Sequence, residues 1–197
     1  MNVNDNINME YEARVMITKN QYSLVKEFYL KSGKECHQMV NINYYYDDDK
    51  LSISNKHHVL RLRSVDNVKH ELTLKIKGEN GDVEINKPLT SNEMESLLEQ
   101  INISDVEIMK RLKDIEVDPA NLKLVAKLKT ERIEIQENDY LLVIDKNYYN
   151  NKIDFNLEVE SISKTDAIEY LKSVISQFGI KYKKDYISKS RRALYNL

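Results

Sequence analysis

The sequence predicts an α+β fold in which eight antiparallel strands close into a barrel, or tunnel, with a charged interior and helices on its flanks. Three observations lead there. Eight short runs alternate between apolar and polar residues with period two. The polar positions in those runs are mainly ionic and of both signs, with few of the Thr, Ser and Gln typical of a solvated sheet. Segments with helical spacing and N-cap signals lie among the runs and could cover the apolar face of a sheet.

The strand-like runs fall at roughly 8–16, 39–47, 58–65, 69–77, 82–87, 123–136, 140–147 and 153–162. Tight-turn candidates are Asp66-Asn67, Asn80-Gly81 and Glu137-Asn138-Asp139. That count and spacing suit a meandering antiparallel sheet able to close on itself. Thr18 with Gln21 forms a capping box ahead of Tyr22, Val25, Phe28 and Tyr29, and Gly33 follows. Thr90 with Glu93 starts a second helix, carrying Met94, Leu97 and Leu98. Ser104 with Glu107 starts a third, with Asp118-Pro119 just past its end. A fourth begins near Ser163, carries Ile168, Leu171, Val174, Ile175 and Phe178, and ends at Gly179. A short final helix runs from Ser188.

Successive strand side chains point to opposite faces. On that basis Glu10, Glu12 and Arg14 share one face, as do Arg61 and Arg63, and Thr73, Lys75 and Lys77. Glu84, Thr130 with Arg132, Asp145, and Glu158 with Glu160 occupy the corresponding face of their own runs. Each set opposes an apolar set such as Leu60 and Leu62, or Leu72, Leu74 and Ile76. A sheet covered outside by helices and closed on itself must turn its ionic face inward. Buried charge is costly unless it is paired or used. The C-terminal segment would add Lys189 and Arg192.

The chain has 197 residues, with four Gly, two Pro, no low-complexity linker and no repeat of fixed period, so a single domain spanning 1–197 is expected. Hydrophobic residues make up 41% and charged residues 31%, a soluble globular composition. A net charge of −2 argues against a broad nucleic-acid surface. The lone Cys36 cannot form an internal bridge and points to a reducing compartment. No apolar run approaches the roughly 20 residues that cross a bilayer. The polar, acidic start MNVNDNINME does not read as a signal peptide. A cytoplasmic protein, monomer or homodimer, without membrane or nucleic-acid partners, is expected.

The ordered residues resemble a known family. Glu10-x-Glu12-x-Arg14 resembles the Glu-x-Glu-x-Lys signature of the CYTH superfamily, also called triphosphate tunnel metalloenzymes. There follow Tyr44-Tyr45-Tyr46-Asp47, Leu60-Arg61-Leu62-Arg63, Leu72-Thr73-Leu74-Lys75-Ile76-Lys77, Glu84, Thr130-x-Arg132, Asp145, Glu158-x-Glu160 and Lys189-x-x-Arg192. The resemblance spans about residues 8–195 and looks nearest to the bacillus-type, single-domain branch. It implies an eight-stranded tunnel, open at both ends, that binds a triphosphate with magnesium or manganese. Arg14 stands where the family signature has lysine. Arginine keeps the charge and can clamp a phosphate with two donors, but it does not shed a proton near neutral pH. A base role for that lysine therefore does not carry over.

The chemistry expected of these residues follows from their types. Magnesium takes oxygen ligands, usually one or two carboxylates plus water and substrate phosphates. Glu10, Glu12, Glu158 and Glu160 could build such a site. Arg61, Arg63, Lys75, Lys77 and Arg132, with Arg14, would neutralise polyphosphate oxygens, and Lys189 and Arg192 would stand near one mouth. Glu84 and Asp145 would orient bases or water. With Glu10, Glu12 and Arg14 they form the expected catalytic set. The leading reading is a metal-dependent hydrolase of tripolyphosphate or a small organic triphosphate. The alternatives are a class IV-type adenylate cyclase, for which no residues identify an adenine pocket, and a polyphosphate-binding module without turnover. Blander readings hold elsewhere: His57-His58 as a surface pair, Asp47-Asp48-Asp49 as a solvated turn, Tyr44-Tyr45-Tyr46 mainly as packing, and Cys36 without a catalytic role.

Overall fold

The computed structural model describes residues 7–78, 82–183 and 187–197, with the backbone alone for 7–10, 82 and 164. The expected Asn80-Gly81 turn and the side chain of Glu10 lie outside the described residues. An eight-stranded antiparallel sheet with flanking helices is observed. The strands are β1 (Ile7–Ile17), β2 (His37–Asp47), β3 (Val59–Val65), β4 (Lys69–Ile76), β5 (Asp82–Leu89), β6 (Lys123–Glu137), β7 (Tyr140–Tyr149) and β8 (Lys152–Ser161). The helices are α1 (Lys19–Lys31), α2 (Ser52–Asn55), α3 (Ser91–Glu99), α4 (Val106–Asp114), α5 (Lys164–Ser176) and α6 (Lys189–Tyr195), with a 3-10 turn at Pro119–Asn121. Among the described residues, no helix is long and apolar enough to cross a membrane.

The chain divides into two compact units. The first is built on Ile42–Leu128 and Lys189–Leu197. Its β3, β4 and β5 form a meander, with Leu60 opposite Leu74, Leu62 opposite Leu72, and Leu74 opposite Ile85. These apolar residues are buried against Met94 of α3 and Ile108 and Leu112 of α4. Fully burying one such side chain is worth about 1.5–3 kcal/mol, so the helix-covered face of the meander is fixed by hydrophobic area. Asp66, Asn67 and Val68 connect β3 to β4; Asp66 and Asn67 take φ 51° and 56°, and Val68 N–H donates to the Val65 carbonyl at 3.0 Å.

The second unit is built on Glu10–Asn41 and Lys129–Ser188. Here β6, β7, β8 and β1 pair in that order, all antiparallel. Val15, Ile133, Leu142, Ile144, Leu157 and Val159 are buried under Tyr22, Val25 and Tyr29 of α1 and Leu171, Val174 and Ile175 of α5. The β7–β8 turn is made by Asn150 and Asn151, both at positive φ, which asparagine tolerates better than most residues.

Capping is close to expectation. Thr18 and Thr90 form reciprocal capping boxes with Gln21 and Glu93. Ser163 caps α5, and Gly179 lies beyond that helix at φ 65°. The third helix differs: Asp105, not Ser104, is its N-cap, and its Oδ1 accepts from Ile108 N at 3.0 Å. A carboxylate is an effective acceptor at the positive end of a helix. The Asp47-Asp48-Asp49 reading also needs correction. Asp47 is completely buried and accepts from the backbone N–H of Asp48, Ile53 and Ser54 at 2.8–2.9 Å, so it builds α2 rather than a solvated turn.

Candidate active site

Strand pairing decides which polar side chains meet, because directly opposed residues in an antiparallel ladder share a face. In the second unit Glu12 is opposite Glu160 and Arg14 is opposite Glu158 across β1–β8. Arg132 is opposite Asp145 across β6–β7, and Asp145 is opposite Asn156 across β7–β8. Glu12, Arg14, Arg132, Asp145, Glu158 and Glu160 therefore share the face turned away from α1 and α5.

Four of these, Arg14, Arg132, Asp145 and Glu158, form a buried ionic network. Arg132 donates from Nε and Nη2 to the two oxygens of Asp145, at 2.9 and 3.0 Å, and its Nη2 lies 3.5 Å from Glu158 Oε2. Arg14 donates from Nη1 to Glu158 Oε1 at 3.2 Å and from Nη2 to the Ile187 carbonyl at 3.1 Å. Asp145 is 0% and Glu158 2% exposed, which would be prohibitive for carboxylates without such partners. Burial opposes the Arg132 charge, but Asp145 and Glu158 outweigh it and push the guanidinium pKa further up. Glu12 and Glu160 lie nearer solvent, and Glu12 Oε1 is 3.8 Å from Arg14 Nη1.

Beyond Arg132 the same face continues in smaller polar groups. Thr130 donates to Asn147 at 2.8 Å, Asn147 donates to Asp154 and Asn156, each at 2.8 Å, and Asn156 donates to Asp145 at 3.4 Å. These links hold the Asp145 carboxylate in one orientation.

The first unit carries a second ionic cluster. Arg63 is opposite Glu71 across β3–β4, and Lys75 is opposite Glu84 across β4–β5. Glu84 lies 3.4 Å from Arg61 Nη2 and 3.6 Å from Lys75 Nζ. Burial raises its carboxyl pKa, but Arg61, Lys75 and Arg63 together overcome this and hold it below the ordinary value. Glu71 lies 3.3 Å from Arg63 Nη1 and 3.8 Å from Arg61 Nη2. Arg63 Nε donates to Asn43 at 3.1 Å. Arg61 Nε is buried with no hydrogen-bond partner among the described residues.

The remaining candidates are placed less centrally. Lys77 lies one residue past the end of β4 and is exposed, and its backbone N–H donates to His58 Nδ1 at 3.0 Å. Arg192 is buried within α6 of the first unit, and Lys189 begins that helix half-buried. Sequence reasoning passed over Glu71, Asn43 and the Asn147–Asn156 pair. Glu71 had a usable signal, because it shares strand parity with Thr73 and Lys75. The asparagines had none, since their role depends on register. A cleft of about 310 Å³ in the first unit lies instead on the helix-covered side, bordered by Leu72, Leu89 and Leu97, away from the ionic face.

Among the described residues, no three His, Cys, Asp or Glu side chains are gathered closely enough to hold a metal ion alone. The donor types still fit a hard cation. The like-charged Glu12 and Glu160 directly oppose each other, and Arg14, 3.8 Å from Glu12, offsets only part of that charge, so a cation is favoured there. Magnesium needs only one or two carboxylates when phosphates and water complete its shell.

A two-unit α+β chain with an antiparallel sheet, apolar under its helices and ionic on the other face, is a fold shared with solved structures. A Bacillus halodurans protein named as a candidate adenylate cyclase superposes with a TM-score of 0.85 at 23% identity, covering 95% of this chain and 98% of the other. HpAC1 from Hippeastrum, named as a candidate adenylyl cyclase and described as having a dominant triphosphatase activity, superposes with a TM-score of 0.78 at 16% identity, covering 97% and 96%. The CYTH domain model matches residues 8–190, and the chain belongs to the CYTH domain family. YjbK of Bacillus subtilis (strain 168), named as a candidate triphosphatase, is 26% identical over 172 residues, 87% of each chain.

Proposed function

We propose that this protein is a divalent-metal-dependent triphosphatase acting on tripolyphosphate or a small organic triphosphate. The observation that carries the reading is the direct opposition of Glu12 and Glu160, one strand step from the Arg14–Glu158 pair. A pure polyanion binder gains nothing from paired acids, whereas a binder of metal and polyanion together does. The triphosphatase names of YjbK and HpAC1 support the same reaction class. As part of this proposal the sheet closes on itself as a tunnel with a charged interior and the chain acts as one domain.

In this reading Glu12 and Glu160, with Glu10, hold magnesium or manganese, and Glu158 contributes from its ion-paired position. The bound ion would neutralise phosphate oxygens and activate water for attack on the terminal phosphorus. The chain's own residues do the rest. Arg61, Arg63, Lys75 and Arg132 bind phosphate oxygens, which guanidinium groups can do with two donors at once. Arg14 stabilises charge and takes no proton. Asp145 positions Arg132, and Glu84 positions Arg61 and Lys75. Lys77, Lys189 and Arg192 supply outlying positive charge.

The test is phosphate release from tripolyphosphate, ATP and thiamine triphosphate, each with magnesium, with manganese and in excess chelator. Release from at least one substrate, abolished by chelator, is expected. Equal release in chelator removes the metal role, and no release from any substrate removes the triphosphatase reading.

A further inference from the structure

The two acids of the first unit's cluster are held very differently. Glu84 is 7% exposed and sits between Arg61 and Lys75, which together with Arg63 keep it ionised. Glu71 is 29% exposed, and its close partners are the two guanidinium groups of Arg61 and Arg63. On its other side β5 offers Pro88, which has no N–H to donate. The neighbouring Thr73 hydroxyl lies 3.5 Å from Glu71 but 2.8 Å from Asn86. Its single hydrogen is better spent on Asn86. Among the described residues, the two arginines alone anchor the Glu71 carboxylate closely.

An anion shared by two adjacent guanidinium groups occupies the position a phosphate would take. Arg61 also keeps one buried N–H with no partner among the described residues, so the cluster has donor capacity that Glu71 does not use. We propose that Glu71 is a displaceable internal anion: it occupies the Arg61–Arg63 phosphate seat and leaves it when a polyphosphate binds. This rests on the functional reading above, in which Arg61 and Arg63 contact phosphate. Glu71 is then a specificity-determining residue. It costs a singly charged ligand more than a polyphosphate, because only several phosphate charges outcompete a tethered carboxylate. Glu84, pinned and buried, stays in place and keeps the arginines oriented throughout.

The experiment is calorimetric binding of tripolyphosphate and of inorganic phosphate, without metal, to the full chain and to Glu71→Gln, Glu71→Ala and Arg63→Ala, with a thermal melt of each. Both Glu71 variants should bind tripolyphosphate roughly twofold to fivefold tighter, the range an exposed ion pair commands. Inorganic phosphate should gain by a larger factor, and Arg63→Ala should lose tripolyphosphate binding. Folded Glu71 variants that bind tripolyphosphate equally or more weakly, while Arg63→Ala still loses it, would overturn the displacement and leave the functional reading standing. A parent chain that binds no tripolyphosphate, or an Arg63→Ala variant that binds it normally, would remove the functional reading and this inference with it.

Discussion

Arg132 and Asp145 face each other across β6–β7 and are joined by two parallel hydrogen bonds, Nε to Oδ1 at 2.9 Å and Nη2 to Oδ2 at 3.0 Å. Glu158 adds a weaker contact at 3.5 Å. Removing the Asp145 charge leaves a largely buried guanidinium with only that contact and one to Glu134 at 3.4 Å. Breaking such a pair from one side costs about 3–5 kcal/mol. Asp145→Asn should therefore lower stability by about 3 kcal/mol in a urea titration, and its turnover should fall because Arg132 loses its orientation. A variant with parental stability would show that Asp145 does not hold Arg132.

Glu84 makes a pH prediction. Its folded-state pKa is lowered, with Arg61 and Lys75 outweighing burial. A lowered acid pKa contributes stability in full above the unfolded value, about 4.3, and loses it as pH falls through the lower folded value. Glu84→Gln should be less stable than the parent by about 1–3 kcal/mol near neutrality, the scale of hydrogen bonds to charged groups. The gap should hold constant down to about pH 5 and narrow below about pH 4. A gap that widens on acidification would reverse the sign assigned to Glu84.

Asp47 tests a structural role. Replacing it with Ala strips acceptors from the Ile53 and Ser54 N–H groups at the start of α2. Ile53 is 1% exposed, so water does not readily take over. The expected loss is about 2–3 kcal/mol in a denaturant titration, since each orphaned buried donor costs about 1–3 kcal/mol. Loss of under half a kcal/mol, roughly the scale of an ordinary surface change, would return Asp47 to the solvated turn the sequence suggested.

Much of this architecture is legible in the sequence. Period-two alternation located all eight strands to within about two residues, because each has one face under helices and that face must be apolar. The same parity put Arg61, Lys75, Arg132 and Glu158 on the faces where they are found. What stayed hidden depends on register and tertiary hydrogen bonding. Nothing local tells that Glu12 meets Glu160, 148 positions later in the numbering, rather than Glu158. Asp47 resembles its two acidic neighbours in sequence, and only the return of the chain through Ile53 separates them. The Asn150-Asn151 turn escaped notice because, unlike Asn-Gly, it lacks the glycine that marks such turns.

The basic cluster gives a binding prediction. Arg63 lies beside Asn43 and Glu71, and Lys75 beside Glu84, and neither belongs to the buried apolar cluster under the helices. Arg63→Ala and Lys75→Ala should each weaken metal-free tripolyphosphate binding by about tenfold or more, as expected for losing a charge-assisted contact to phosphate. Their far-ultraviolet circular dichroism should match the parent. Parental affinity in either would mean that its face does not receive the polyanion.

Glu158 and Glu160 separate ion pairing from metal binding, because the structure treats them differently. Glu158 is buried between Arg14 and Arg132. Neutralising it should destabilise the fold, by about 3 kcal/mol, since two buried guanidinium groups lose a shared partner. Glu160 is half-buried and opposes Glu12. Neutralising it removes a like-charge opposition and also an attraction to Arg132, so Glu160→Gln should change stability by under about 1 kcal/mol in the absence of metal. Its cost should appear elsewhere. An amide is a poorer partner than a carboxylate for a hard divalent ion, so the magnesium midpoint for turnover should move to higher concentration. At saturating tripolyphosphate and fixed low magnesium, turnover should fall by about 100-fold, the scale on which a transition-state charge partner is lost. Metal-free tripolyphosphate binding should persist in Glu160→Gln, because the basic residues are untouched. The measurements are a denaturant titration without metal and a magnesium titration of activity for each variant. If Glu160→Gln kept the parental magnesium midpoint and turnover, Glu160 would be no metal ligand and would instead balance the charge of Arg132.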